Sequence, residues 1–223
     1  MAYRFTKFAP LIVLAPTIVA AFVAIGYLQH SAMGQSTDKV GTITGVIDNP
    51  MIATDTAVVF IKEVLGDAPA PKDKGSMSQK KITFNPRVLP VVVGTTIECP
   101  NDDTVTHNIF SPTKSAKAFN FGLYPPGSKK EIVANKVGVI PFLCNIHAEM
   151  AAFVVVCPNA YFAKTEKDGK FKIENVPEGK YKLTFWHEKL RPKTVEVTVT
   201  AGATENVTFT NLEKGKYSID LLK

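Results

Sequence analysis

The stretch Cys144-Asn-Ile-His147-Ala-Glu-Met150 places a thiol, an imidazole and a thioether at intervals of three residues. One tight loop can direct all three side chains toward a common point. A further histidine, His107, lies 37 residues upstream in Thr106-His-Asn108, so it must come from a separate loop. We therefore predict a metal site that two distant loops build together, as part of the fold.

The donor set itself indicates which metal is expected. Two histidines and one cysteine with a weak axial methionine form the mononuclear copper sites used in electron transfer. The sequence thus predicts one copper ion, as Cu(I) or Cu(II), held by His107, Cys144, His147 and Met150. The spacing Cys-x-x-His is also half of a zinc site, but zinc would need another cysteine, histidine or carboxylate as its fourth ligand.

The segments around these residues resemble the cupredoxins. Residues 84–101 resemble the strand, glycine turn and strand that precede the first copper ligand, residues 106–110 resemble the ligand loop, and 138–144 the strand that delivers the cysteine. The short loop from Cys144 to Met150 is most similar to that of amicyanin. The resemblance implies a Greek-key β-sandwich over residues 65–157 that carries single electrons between redox partners.

The same resemblance implies roles for residues next to the ligands. Asn108 would tie the two ligand loops together, and Phe142 would pack beneath the site and keep it dry. The exposed His147 would pass electrons to a partner protein, such as a cytochrome or a dehydrogenase.

The C-terminal part has a different pattern. Thr165–Phe171 contains an Asp-Gly pair, which is typical of a hairpin, and Pro177-Glu-Gly-Lys-Tyr181 follows. Both resemble the carboxypeptidase regulatory-like domain, a small β-sandwich. The fold class expected is therefore all-β, with two sandwiches and an N-terminal hydrophobic helix.

Two domain divisions follow from this pattern. Because 158–212 is short for a sandwich, residues 35–64 could supply its missing strands, with 65–157 inserted between them. Alternatively, 35–157 forms the first domain and 158–212 the second; residues 213–223 are a tail in either case. The pairing of residues 57–62 distinguishes the two divisions.

The N-terminal segment predicts export. Residues 8–28 carry no charge, Arg4 and Lys7 precede them, and Ala32-Met-Gly34 is a small-x-small cleavage candidate. Residues 1–34 are thus a signal peptide or an uncleaved membrane anchor. We expect the rest of the chain in the periplasm or on the outer face of the cytoplasmic membrane, with no membrane contact beyond that anchor.

Charge excludes some partners. Beyond residue 34 the chain has 24 basic against 20 acidic residues, and no basic stripe with interleaved aromatic residues, so nucleic acid is not expected. Lys114 and Lys117 follow the His107 loop and could help to dock an acidic redox partner.

The residue counts also bear on competing functions. Catalytic copper enzymes need additional histidines, and only His187 remains beyond residue 34, so we expect no enzyme. We expect His187 at the surface or in a hairpin. A copper-handling protein of the cell envelope, or an open-site copper protein, is the alternative function.

For Cys99 and Cys157 we favour two separate thiols, because the predicted strands carry them to different ends of the fold.

Overall fold

The computed structural model describes residues 39–64, 73–112 and 118–215. These residues are almost entirely β-structure, with one short 3-10 helix at Pro50–Ala53. The all-β prediction is confirmed, whereas the predicted N-terminal helix, the cleavage candidate, Lys114 and Lys117 lie outside the described residues. Within the described ranges, no helix has the length and apolar character needed to cross a membrane.

Two sheets face each other in the part of the chain between residues 73 and 157, which we call the first sandwich. The strands are β3 (Gly75–Ser76), β4 (Ser78–Gln79), β5 (Phe84–Asn85), β6 (Val88–Val92), β7 (Thr96–Pro100), β8 (His107–Ser111), β9 (Phe119–Tyr124), β10 (Lys129–Val133), β11 (Gly138–Leu143) and β12 (Ala151–Cys157). One sheet has the order β6-β12-β11-β8-β9 and the other β10-β7-β3, while β4 and β5 form a short ribbon. The chain leaves β7 for β8 and β9 in the opposite sheet, and β10 then returns to pair with β7, which is the Greek-key return.

The remaining strands form two further sheets, which we call the second sandwich. They are β1 (Val40–Ile47), β2 (Val58–Ile61), β13 (Phe162–Lys164), β14 (Lys170–Pro177), β15 (Gly179–His187), β16 (Leu190–Val199) and β17 (Thr204–Phe209). Their orders are β14-β1-β17 and β13-β2-β15-β16. Strand β2 pairs with β13 and β15, with Phe60 opposite Phe162 and Thr184. Residues 58–61 therefore pair with strands that follow residue 160, not with the sheets of the first sandwich.

Strands β2 and β12 are buried on both faces, because each is apolar at nearly every position. In β2, Val59 and Ile61 face the core of the second sandwich, while Val58 and Phe60 face the opposite way. In β12, the alternate residues Ala152, Val154 and Val156 belong to the core of the first sandwich. Continuous apolar runs of this length are expected for strands covered on both sides.

The outward faces of these two strands meet in a third apolar cluster, which we call the shared core. It contains residues from both sandwiches: Val58, Phe60, Val88, Val139, Phe153, Val155, Cys157 and Trp186, all at most 6% exposed. The Phe153 and Trp186 rings lie 5.3 Å apart between centroids. The four sheets therefore stack as layers with three apolar cores between them.

The Asp168-Gly169 turn differs from the sequence prediction. The turn is present, with the Glu166 N–H donating to Lys170 O at 2.8 Å, but β13 and β14 lie in different sheets. The predicted hairpin is therefore wrong: β14 pairs with β1 instead. Gly169 has a φ of +81°, and a Cβ there would lie 2.4 Å from Ile47 O, so the chain crosses between sheets by packing closely on β1.

Each cysteine among the described residues is a free thiol. Cys99 lies in the core of the first sandwich and Cys157 in the shared core. Burial raises the pKa of the Cys99 thiol to about 12, with Glu131 and Glu98 adding to the effect. Burial also raises the pKa of Cys157. Two separate thiols were favoured from the sequence, and the structure agrees. Buried thiols with raised pKa values react poorly.

Phe60 provides a test of the shared core. The change Phe60→Ala removes a fully buried ring from between the sandwiches, and it should lower the free energy of unfolding by about 3–5 kcal/mol. The control is Val133→Ala, at a side chain that is 46% exposed, with an expected effect within about 0.5 kcal/mol. Urea unfolding followed by Trp186 fluorescence measures both, and similar losses for the two variants would contradict a shared core.

His187 ends β15 and is fully buried, so its expected surface position is wrong, although it does adjoin the β15–β16 hairpin turn. Its Nδ1 accepts the Lys189 N–H at 3.1 Å, and its Nε2 has no hydrogen-bond partner. Burial lowers the pKa of His187; the Asp55 and Glu188 carboxylates oppose the shift, and the Lys189 ammonium adds to it.

The buried imidazole should make stability depend on pH. An unfolded histidine gains a proton near pH 6.5, whereas the folded His187 resists it, so its contribution is present above that pH and is lost as the pH falls. We expect the difference in unfolding free energy between the wild type and His187→Gln to shrink between pH 7.5 and 5. Denaturant melts at several pH values measure this, and a difference that is constant or grows toward acid pH would refute it.

Candidate metal centre

The loop before β8 delivers His107. Asn101, which is fully buried, holds this loop through its side chain: Nδ2 donates to Val105 O at 3.0 Å, and Oδ1 accepts the Asp103 N–H at 3.1 Å. The loop therefore folds back on itself before the strand begins at His107. His107 is thus the first residue of β8 and pairs with Tyr124, the last residue of β9, while Ile109 packs into the core.

The second loop joins β11 to β12 and carries the other three predicted ligands. Leu143 and Ala151 pair at its base. The Cys144 N–H donates to Met150 O at 3.3 Å, and the Met150 N–H donates to His147 O at 3.0 Å. These two backbone bonds close the loop into a tight turn, as the three-residue spacing predicts.

The two loops bring the predicted donors together. The Nδ1 atoms of His107 and His147 lie 3.1 Å apart, and the Cys144 sulfur lies 3.8 Å from His147 Nδ1. One ligand atom from each of the three residues lies within 4.8 Å of the others. Met150 is 1% exposed and belongs to the same apolar core as Cys144, so its side chain is directed into the protein.

Burial differs across the group. His107 is fully buried and Cys144 is 4% exposed, whereas His147 is partly exposed and its neighbour Ile146 is 49% exposed. The site therefore lies beneath the surface, with the His147 loop between it and solvent.

Asn108 links the two loops, as predicted. Its Oδ1 accepts the Asn145 N–H at 2.9 Å, and its Nδ2 donates to Asn120 Oδ1 at 3.0 Å on β9. Since Asn108 is only 1% exposed, these bonds satisfy polar groups that would otherwise be buried without partners. The Cys144 loop is thereby fixed relative to β8 without any contribution from a metal.

Phe142 lies two residues before Cys144 and belongs to the same apolar core as Cys144 and Met150. It is fully buried, and its ring meets Phe84 and Phe119 edge to face at centroid distances of 6.3 and 5.5 Å. Such pairs favour fixed ring positions. The core next to the donors is therefore apolar, and two aromatic neighbours contact the Phe142 ring.

Asp103 is a residue that the sequence interpretation missed. Its carboxylate accepts a hydrogen bond from His107 Nε2 at 2.9 Å. The Ile82 N–H, the His107 ring and the Thr104 N–H together hold the pKa of Asp103 below its usual range. A bond from Nε2–H to a carboxylate fixes the tautomer and leaves Nδ1 free to bind a metal.

The position of Asp103 also bears on the choice of metal. Zinc would require a fourth donor such as a carboxylate. The Asp103 carboxylate contacts Nε2, whereas the Nδ1 atom of the same ring faces His147. Asp103 thus supports the ring from behind and does not complete a zinc set, so the donors fit the copper arrangement with a thioether better.

Asp103 and its neighbour Asp102 form a matched pair for mutation. Asp103→Ala should weaken metal binding by about 10–100-fold, because the His107 ring loses its supporting carboxylate. Asp102 accepts the Ser78 hydroxyl at 2.5 Å instead, so Asp102→Ala should leave the affinity unchanged. Competition titrations with a chelator measure both, and equal affinities for Asp103→Ala and the wild type would show that the carboxylate has no supporting role.

Comparison with known proteins gives one family match. The model of the carboxypeptidase regulatory-like domain matches residues 151–221. This range begins with β12, which belongs to a sheet of the first sandwich, and continues through β13–β17. Among curated proteins, no sequence relative was found.

Several solved structures are similar to the chain. A purple cupredoxin from Nitrosopumilus maritimus is 28% identical, with 37% of this chain and 99% of that chain covered and a TM-score of 0.34. An amicyanin variant in its reduced state is 18% identical, with 44% and 97% covered and a TM-score of 0.35. A copper-containing nitrite reductase from Thermus scotoductus is 22% identical over 51% of this chain and 28% of that chain, with a TM-score of 0.36.

Proposed function

We propose that the protein binds one copper ion and carries single electrons between redox partner proteins outside the cytoplasm. The observation that carries this proposal is the convergence of one ligand atom each from His107, Cys144 and His147 within 4.8 Å of one another, next to the apolar core that contains Phe142. His107, Cys144, His147 and Met150 would hold the ion. Copper bound by such a set alternates between Cu(I) and Cu(II).

The arrangement of the protein suits a carrier. Asn108 joins the ligand loops, Asp103 orients His107, and Phe142 is fixed by its aromatic neighbours. Because these contacts join protein groups to one another, we expect the ligands to keep their places when an electron arrives or leaves. A site that does not rearrange exchanges electrons at little cost in free energy.

The partly exposed His147 loop supports exchange with another protein. Ile146, which is 49% exposed, lies directly beside the imidazole. A partner that covers this loop would exclude water and approach the ring closely. We propose a cytochrome or a dehydrogenase as this partner, in the periplasm or at the outer face of the cytoplasmic membrane, in keeping with the N-terminal sequence.

We further propose that the protein is not an enzyme. Of the three histidines in the described part of the chain, two belong to the metal centre, and His187 lies at the end of β15 beside the shared core. Catalytic copper enzymes use additional histidine ligands, which this arrangement does not bring near the centre.

The experiment is the visible absorption and EPR spectrum of the protein loaded with Cu(II). We expect an intense thiolate-to-copper band and a narrow hyperfine splitting. Cys144→Ser should abolish the band, and Met150→Leu should retain it with a changed spectrum and potential. The control is Cys99→Ala, which removes another buried thiol of the same core and should leave the band intact.

Other outcomes would overturn the proposal. A colourless protein with an ordinary copper signal, or a preference for zinc, would favour a metal-handling role in the cell envelope. A coloured species that Met150→Leu does not alter would indicate an open site without the axial thioether.

A further inference from the structure

An arginine immediately before β6 connects the two sandwiches. Arg87 Nη2 donates to both carboxylate oxygens of Glu188, at 3.1 and 2.8 Å. Glu188 lies in the turn between β15 and β16 of the second sandwich. Its side chain is only 9% exposed, compared with 49% for Arg87. The Arg87 guanidinium therefore compensates for much of the hydration that the Glu188 carboxylate loses on burial.

The other arm of the same guanidinium reaches Ala151, the first residue after the loop from Cys144 to Met150, which we call the metal-site loop. Arg87 Nη1 donates to Ala151 O at 3.1 Å, and the Arg87 carbonyl accepts the Phe153 N–H at 2.9 Å. Ala151 directly follows Met150 in the chain. Arg87 therefore holds the first residues of β12 at two points, immediately beyond the predicted axial ligand.

Glu188 is itself held in place by its surroundings. Lys189 Nζ lies 3.4 Å from Glu188 Oε1 and 2.7 Å from Asp55 Oδ2. The Lys189 N–H donates to the buried His187 ring. The turn thus presents Glu188 in a fixed position, which belongs to the second sandwich.

The loop has space to shift if this connection is lost. A cavity of about 140 Å³ lies beside Met150 and Ala151, and Arg87 forms part of its wall. Thr83, Phe84 and Glu149 complete the lining. The start of β12 is therefore less tightly enclosed here than in its fully buried middle.

We propose that Glu188 is a positioning residue for Met150, and that the second sandwich sets the axial ligand through Arg87. A guanidinium is planar and rigid, so the place of the carboxylate on one arm fixes the place of the Ala151 carbonyl on the other. The axial ligand tunes the reduction potential of such copper sites. This inference rests on the proposed copper function, and it gives the second sandwich a part in that function.

Two variants test the connection. Glu188→Gln removes the charge on one side, and Arg87→Lys keeps the charge but loses the fork that binds two acceptors at once. The control is Glu213→Gln, which breaks the exposed pair of Glu213 with Arg191, where the side chains are 74% and 69% exposed. Each variant alters one Arg–Glu pair, but only the Arg87–Glu188 pair adjoins the metal-site loop.

The readouts are the Met150 methyl resonance and the hydrogen exchange of the Met150 N–H in copper-free protein, and the reduction potential of copper-loaded protein. The resonance is assigned with Met150→Leu. We expect both test variants to move the resonance and shift the potential, and to accelerate exchange about tenfold. That factor corresponds to about 1.4 kcal/mol, near the lower end of the loss expected for a hydrogen bond to a charged group. Glu213→Gln should match the wild type in each.

The contrary result is equally definite. If Glu188→Gln and Arg87→Lys lower the melting temperature but leave the methyl resonance, the exchange rate and the potential unchanged, the pair is a brace between sandwiches and the positioning proposal is wrong. The copper-free measurements keep the two proposals apart. If the wild type lacks the thiolate-to-copper band, the electron-carrier function fails, whereas the resonance and exchange still decide whether Glu188 positions Met150.

Discussion

Strand β12 has no side that faces water, and the arrangement of the protein depends on this. Its Ala152, Val154 and Val156 fill the core of the first sandwich, while Phe153, Val155 and Cys157 fill the shared core. Apolar burial on both faces fixes the register of the strand, because a shift of one residue would exchange the two sets of side chains. The strand that follows Met150 thus has a defined position before any metal is considered.

Three sets of contacts position the candidate metal centre, and the first of them involves β12. The pairing of β11 with β12 closes the Cys144–Met150 loop from below, Asn108 ties the loop to β8, and Asp103 orients the His107 ring. Each contact acts on a different part of the donor set. The polar groups near the centre are consequently paired with protein partners, and the donor atoms are left facing one another.

The features that residue type and short-range spacing determine could be predicted from the sequence. The four ligand candidates, the strand at 107–111 and the continuous apolar strands β2 and β12 follow from residue type and spacing. Strand β9 is not apparent in the sequence, because Gly122, at a φ of +66°, breaks the alternation: Phe119 and Phe121 pack inward before it, and Tyr124 packs inward after it.

Contacts between residues far apart in the chain could not be predicted from sequence patterns. Asp103 stands in a polar loop without periodicity, and its role depends on the turn that Asn101 imposes. The Asp168-Gly169 turn has a sequence typical of hairpins, but the strand that follows it, β14, pairs with β1 and not with β13. Arg87 and Glu188 are 101 residues apart and meet only because the two sandwiches share a core.

The shared core also limits how the protein can be divided. The chain enters the second sandwich through β1 and β2, builds the first sandwich, and then returns through β13. A fragment cut after Cys157 would keep Val58 and Phe60 on a β2 that has lost both strands it pairs with. It would also remove the Trp186 ring from Phe153. Exposed apolar strands of this kind associate with one another. Either half expressed alone should therefore aggregate. Neither sandwich can be moved to another protein without exposing apolar residues of the shared core.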